Sequence, residues 1–299
     1  MRRTILHAVL PCVLLLACSC ELTSKNPVDS GYEIPFGVVF ASIPGGTFLM
    51  GDVENAGGPD EKPVHTVTVS GFDMSMYEIT NTDYAEYLQQ ALATGDIFIS
   101  NESAIGGKGP YIGQEFLLFP ESYDAVNICW IRYLNGIFLV NSETEYWPVV
   151  NVTWYGAKAF AQYYGLDLPT EAEWEYACRG GRQYPFGTDD GSINSAKANY
   201  HSNYGHPVEV GSTPANPFKL CEMSGNVGEW CHDWYAAYPD GDADNPSGPR
   251  EGVFRTVRGG GWYQPNDTCR AASRTCAAPD SGSNDLGFRV VRRASPQNN

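Results

Sequence analysis

The stretch from Arg258 to Arg292 constrains this chain more than any other. Before it, a β-type run (Val253, Phe254, Thr256, Val257) leads to a turn, Gly259-Gly-Gly261, and then Trp262. At its far end, Leu286-Gly-Phe-Arg-Val-Val291 reads as a strand. The residues between are small and polar and follow no apolar period, so the backbone there reads as loop. Scaffold at both ends and a chemically plain middle is how a fold presents a binding loop.

Upstream, the pattern alternates between short strands and capped helices. Ile43 to Asp52 reads as a strand entered through Pro44-Gly-Gly46, and His65 to Val69 alternates as another, with Phe72 to Ile79 extended. Thr80 with Asp83 has the spacing of a capping box, and Tyr84, Tyr87, Leu88 and Ala91 share one helical face. Pro148 to Thr153 reads as a strand running into a helix N-cap. Ala157, Phe160, Ala161 and Tyr164 form the next buried face, with Gly165 as its stop. Thr170 and Glu173 open a third, short helix ended by Gly180-Gly181, which places Cys178 in the core. Residues 92–146 read as an insertion, with a hairpin turning at Asn135-Gly136. With 7 Trp, 18 Tyr, 32 Gly and 20 Pro, such a chain buries a large core but leaves much backbone irregular.

The N-terminus carries a processing pattern. Arg2 and Arg3 precede a short apolar run, and Leu15-Leu16-Ala17-Cys18 resembles a bacterial lipobox. The expectation is a lipoprotein signal peptide over 1–17, lipidation at Cys18, a tether over 18–38 and one folded domain over 39–294. Localisation follows as the bacterial cell envelope, lipid-anchored at the outer-membrane surface, with the membrane as a partner through the anchor. Seven cysteines remain after Cys18, an odd number, so at least one thiol stays unpaired within the chain. The net charge of −16 and the lack of a basic stripe argue against nucleic acid as a partner. No Cys-x-x-Cys, Gly-x-Ser-x-Gly or His-Glu-x-x-His motif occurs. His201, His206 and His232 have no ligand spacing on a shared helix face, and His232 between Trp230 and Trp234 reads as packing.

Several ordered motifs together resemble the formylglycine-generating-enzyme (sulfatase-modifying factor) domain family. They are I-P-G-G-T-F-L-M-G-D, Y-E-I-T-N-T-D-Y, P-V-V-N-V-T-W-Y-G-A, L-P-T-E-A-E-W-E-Y-A-C-R-G-G, S-G-N-V-G-E-W and R-G-G-G-W…L-G-F-R-V-V. The resemblance covers about residues 40–293. It implies an α+β chain with the C-type lectin fold of the formylglycine-generating-enzyme type, irregular, with two main helices and small antiparallel sheets. Members include oxidases, iron- or partner-dependent relatives and binding proteins, so the fold alone leaves function open.

For the oxidases, the resemblance implies a cysteine pair that binds copper(I), a soft metal suited to thiolates. Anchored on Arg274, Pro279-Asp280 and Gly287-Phe-Arg289, that pair falls at Ala271 and near Asn266, neither a cysteine. Cys269 and Cys276 are close by but out of register, and the catalytic set is empty. The same frame resembles variable proteins diversified by retroelements, some of them lipid-anchored. That resemblance sorts the segment into two sets. Tyr263, Asn266, Asp267, Thr268, Ser273, Thr275, Cys276, Ala277, Ala278, Ser281, Ser283, Asn284 and Asp285 are the interchangeable, ligand-binding positions. Trp262, Arg270, Arg274, Pro279, Asp280, Gly287, Phe288 and Arg289 are the frame. Gly225-Asn-Val-Gly-Glu229 further resembles a calcium-binding segment, with Gly225 and Val227 giving carbonyls and Glu229 a carboxylate.

Three functions are therefore in play. The first is a surface lipoprotein that binds a protein or glycan through its C-terminal loop region. The second is a copper- or iron-dependent oxidase of the formylglycine-generating type, and the third a structural envelope lipoprotein.

Overall fold

A computed structural model describes residues 33–35, 37–100, 103–119 and 129–294. The expected signal peptide, Cys18 and most of the expected tether lie outside the described residues. Four strands come first: β1 (Phe40–Ile43), β2 (Gly46–Met50), β3 (His65–Val69) and β4 (Phe72–Ser75). Helix α1 (Asn81–Thr94) follows, then β5 (Ile97–Ser100), β6 (Ser103–Gly106), β7 (Glu115–Leu118), β8 (Ile131–Leu134) and β9 (Ile137–Val140). Helices α2 (Trp154–Tyr163) and α3 (Glu171–Cys178) come next. The chain closes with β10 (Gly228–Trp234), β11 (Ala243–Asp244), β12 (Arg255–Arg258), β13 (Thr275–Ala277), β14 (Leu286–Gly287) and β15 (Val291–Arg293). This is an α+β architecture with two longer helices and a third, shorter one.

Each helix starts where a threonine takes over an orphan backbone donor. The Thr80 side chain accepts from the Asp83 N–H at 3.2 Å, and Asp83 accepts from the Thr80 N–H at 3.2 Å. Thr170 and Glu173 repeat the exchange at 3.1 and 2.8 Å. Thr153 accepts from the Gly156 N–H at 3.1 Å. A threonine-to-alanine change at such a cap costs about 1 kcal/mol.

The strands form small sheets in the orders β1-β4-β15, β13-β12-β10-β14, β11-β3-β2 and β5-β6-β7, with β8-β9 as a hairpin. Pairing is antiparallel except where β10 meets β14 and β3 meets β11. The hairpin turns on Asn135-Gly136, both at positive φ, as its sequence predicts. The rest of the 92–146 insertion supplies β5 to β7, and its first residues complete α1.

Two expectations about strands change. Pro148 to Thr153 forms only isolated bridges, Thr80 to Pro148 and Leu117 to Val152, because it threads between two partners and pairs along neither. The run Leu286 to Val291 is two strands. β14 pairs with β10, and β15 with β4. Between them Phe288 and Arg289 are both fully buried, so this short run stitches two sheets together.

The core has two parts. One packs α1 and α2 around Tyr84, Tyr87, Leu88, Phe160 and Tyr164, with Phe288 and Trp230 reaching in. The other packs α3, through Trp174, Tyr176, Ala177 and Cys178, onto β1 to β4 and Met223, Cys231 and Ala271. The six described cysteines are free thiols. Burial pushes the Cys178 thiol up to about 12, which suits its packing role.

Candidate functional site

The C-terminal segment is tied to the core by arginines rather than by apolar side chains. Arg270 holds Glu61 with two hydrogen bonds, at 2.8 and 2.7 Å. Arg274 holds Glu171 the same way, at 2.6 and 2.8 Å, and also donates to the Asp60 and Ala236 carbonyls. Arg289 holds Glu229 at 2.7 Å through both of its donors and reaches the Cys221 carbonyl at 2.9 Å. Arg258, fully buried at the start of the segment, donates to Glu175 at 2.5 Å and to the Ala271 carbonyl at 2.6 Å. Bidentate arginine–carboxylate pairs fix direction as well as distance, so each one pins the backbone on either side of it.

The other frame residues work by shape. Gly259 and Gly260 turn the chain at positive φ, and a Cβ on Gly260 would lie 3.0 Å from the Cys269 sulfur. A Cβ on Gly287 would lie 2.6 Å from the Val149 carbonyl oxygen, so β14 can approach only as glycine. The Trp262 indole donates to the Asn284 carbonyl at 3.1 Å, clasping the two ends of the loop region. The Pro279 carbonyl accepts from the Trp154 N–H at 3.0 Å. Asp280 departs from the rest of the frame: it is exposed.

The interchangeable set divides by position. Tyr263, Asn266, Asp267 and Thr275 are exposed. Thr268, Ser273, Cys276, Ala277, Ala278, Ser281, Ser283 and Asn284 are half-buried. Asp285 is buried, accepting from Ser283 Oγ at 2.6 Å and Gln264 Nε2 at 3.1 Å. A buried carboxylate with two partners is structural, and it sits in the wrong group for a freely exchanged residue. The clasp brings Tyr263, Ser283 and Asn284 together. His201 and Ser202 lie against the same strip, donating their N–H groups to the Gln264 and Trp262 carbonyls at 2.8 Å. Thr275, Cys276 and Ala277 form β13, the edge of the four-stranded sheet, and Asn266 to Cys269 make a 3-10 turn. What reads as uniform loop in sequence is a clasp, a turn and an edge strand.

The residues do not fit the metals that the resemblance implies. Both Glu229 oxygens are committed to Arg289, and Oε2 also accepts from the Trp174 indole at 2.7 Å. A carboxylate neutralised in this way is a poor calcium ligand. The Gly225 backbone is pressed against Asn199, where a Cβ would come within 2.3 Å of a carbonyl oxygen, and the Val227 N–H donates to Glu78. Glu229 is thus committed to its ion pair and the indole rather than to an ion. For copper, Cys269 is buried and its thiol is pushed up to about 12 by desolvation. Cys276 lies on β13 opposite Thr256. Ala271, where the register puts a catalytic cysteine, is fully buried. Among the described residues, no group of three or more His, Cys, Asp or Glu side chains could hold a metal ion.

Two features escape sequence reading. The acidic partners Glu61, Glu171 and Glu229 lie 209, 103 and 60 residues from their arginines. No local spacing signals such a pair. Arg255 lies between the rings of Trp154 and Trp234, 3.6 and 3.4 Å from their centres. His232 is half-buried at the wall of a cavity that Asp167, Glu173 and Arg293 also line. Its ring sits 3.0 Å from Lys158 Nζ, and burial, with that ammonium beside it, pushes the imidazole down to about 4.

The sulfatase-modifying factor enzyme 1-like domain matches residues 38–294. A serine/threonine-protein kinase pkn1 from Chlamydia caviae is 34% identical over 91% of this chain and 42% of its own length. The chain thus spans about two-fifths of the curated relatives it matches first. A formylglycine-generating enzyme from Thermomonospora curvata is 32% identical over 89% of this chain and 96% of its own. Among solved structures, PvdO from Pseudomonas aeruginosa superposes with a TM-score of 0.61 at 27% identity, over 85% of this chain and 94% of its own. Treponema denticola variable protein 1 superposes with a TM-score of 0.60 at 24% identity, over 88% and 98%.

Proposed function

The chain belongs to the sulfatase-modifying factor enzyme 1-like family, and on that premise we propose that it is a surface-anchored binding protein that meets a protein or glycan through residues 262–285. One observation carries this reading: the backbone of the segment is fixed from below by buried arginines, while, among the described residues, its exposed side chains make only local contacts within the segment, such as Asp267 with the Thr268 N–H. Arg270, Arg274 and Arg289 hold the frame, and Tyr263, Asn266, Asp267 and Thr275 face solvent. Such a surface tolerates exchange of its contact residues without loss of fold. Tyrosine with small polar neighbours is also the composition that adaptable binding loops use. The lipobox ending at Cys18 supports display at the envelope, and the fold shared with the Treponema denticola protein is consistent with it.

The test is sequence variation among isolates, with a search of the adjacent DNA for a near-copy of the segment and a reverse transcriptase gene. Substitutions should concentrate at Tyr263, Asn266, Asp267, Thr268, Thr275 and their half-buried neighbours. They should spare Arg270, Arg274 and Arg289. Variation spread evenly over the domain ends the reading of a diversified surface.

The identity to formylglycine-generating enzymes favours a second reading, a copper- or iron-dependent oxidase. Its cysteines would be Cys269 and Cys276. Titration with Cu(I) decides it: stoichiometric binding that Cys269→Ser abolishes would establish this reading and displace the first.

A further inference from the structure

Beside α3 and the end of β10 lies a cavity of about 380 Å³, apart from the clasp and the exposed turn. Its walls are largely apolar, with Met50, Ala172, Trp234, Tyr238 and Pro249 among them. The chain from Ala236 to Pro249 closes over it and is stiffened by Pro239, Pro246 and Pro249. Small-molecule pockets span about 300–1,000 Å³, and an apolar wall broken by a few polar groups is their usual make-up.

Several polar groups break this wall, His65, Glu171, Asp233, Tyr238, Ser247 and Arg274, and two of them bear on what it could bind. Asp233 is only 5% exposed. Its Oδ2 accepts from the Glu171 backbone N–H at 2.9 Å. Among the described residues no donor reaches its Oδ1, which lies beside Gly248, where a Cβ would stand 3.1 Å from it. The Tyr238 hydroxyl is buried and also without a partner. The other carboxylate in the lining, Glu171, is already held by both donors of Arg274. Asp233 is therefore the one acidic group in the cavity whose pairing is unfinished. The Asp233 Oδ1 opens to the cavity with no donor from the described residues, so a ligand able to supply one gains a charge-assisted hydrogen bond there. The donor that best matches a carboxylate is a cation, and it must come from a ligand, because Arg255 and Arg274 are already stacked on the Trp234 and Tyr238 rings.

We propose that this cavity binds a small apolar molecule bearing a primary amine, with its ammonium on Asp233 and its body against Met50, Trp234 and Pro249. At the pH of the experiment below, the carboxyl that meets the ammonium carries its proton in the empty protein. Burial, and then the Glu171 carboxylate, push the Asp233 carboxyl up to about 8, with Glu173 adding to the effect and Arg293 opposing it. His65 on β3 and Arg274 also face the cavity. Binding an ammonium therefore ionises Asp233 and releases its proton to solvent, so that carboxylate and ammonium pair with no net charge buried.

The experiment titrates the full chain with phenethylamine, 2-phenylethanol and 3-phenylpropionate near pH 6.5. Binding is followed by tryptophan fluorescence and by calorimetry in buffers of different ionisation enthalpy. Phenethylamine should bind with release of close to one proton, and the alcohol and the acid at least roughly tenfold more weakly. Asp233→Asn should remove both the amine preference and the proton release. Ala237→Phe, placed at the exposed rim of the cavity, should block all three probes without lowering Tm. The proposal is overturned if the folded protein fails to bind the amine, or binds amine and alcohol equally. It is also overturned if binding releases no proton, or if Asp233→Asn binds the amine as well as the parent does.

Discussion

Around α1 and α2 the core is aromatic, with its buried charges kept to the Asp83 cap and the Lys158–Asp167 pair at the edge. Tyr84 stacks on Phe160 at 5.8 Å, and Phe288 meets Phe160 edge to face at 5.3 Å. Around α3 and the C-terminal segment the interior is ionic: Arg258, Arg274 and Arg289 are buried against Glu175, Glu171 and Glu229. The difference follows from what each stretch has to offer. The helices carry apolar faces and can be held by area. The C-terminal segment has almost no large apolar residues between Trp262 and Leu286, so area cannot hold it. Directional charge pairs do so instead, and they need only the few positions that point inward. That leaves the outward positions with only short-range contacts inside the segment itself.

The largest effect should come from removing one charge from the ionic half. Arg289→Met keeps bulk but leaves Glu229 buried and unpaired, close to Glu78, whose carboxyl burial already pushes well up. The expected loss is about 4–5 kcal/mol in urea unfolding, and Arg289→Met with Glu229→Met together should recover most of it. A double variant as unstable as the single would show that the pair matters for more than charge balance. In the aromatic half the rule differs. Phe160→Ala should cost about 3–4 kcal/mol through the cavity it leaves, and no charge change elsewhere should restore it.

Smaller effects sharpen the contrast. Asp233 lies in the ionic half with its carboxyl raised to about 8, well above its unfolded value. Its contribution is complete below the unfolded value, is lost as pH rises towards about 8, and is constant above that. Asp233→Asn should therefore gain on the parent in thermal unfolding between about pH 4 and pH 8, and the gap should stop widening beyond it. Last, alanine at Tyr263, Asn266, Asp267 and Thr275 together should move stability by no more than about 0.5 kcal/mol per site. A drop of several kcal/mol in circular-dichroism melts would mean that these side chains do hold the fold.

Much of the scaffold is legible without coordinates because its signals are local. The Thr80–Asp83 and Thr170–Glu173 caps, the helical face of Tyr84, Tyr87 and Leu88, and the Asn135-Gly136 turn are each written within a few residues. The division of the C-terminal segment is half legible. Trp262, Arg270, Arg274 and Arg289 act as frame, but Asp285 is buried where an interchangeable residue was expected, and Asp280 is exposed where a fixed one was. Residue type alone cannot separate an aspartate that clasps from one that faces water. Glu229 shows the same limit. As a motif it suits calcium, and only the arrival of Arg289 from a later turn of the chain commits it to an ion pair.

What the sequence by itself determines here is every feature whose cause lies within one helix turn or one hairpin: caps, faces, turns and the polar character of the C-terminal loop. What the tertiary structure alone decides is pairing over long separations. It sets which glutamate meets which arginine, splits Leu286 to Val291 between two sheets, and leaves Asp233 facing a cavity with one oxygen unmatched. The physical reason is that a charge or hydrogen bond depends on distance in space, and distance along the chain carries no record of it until the fold has closed.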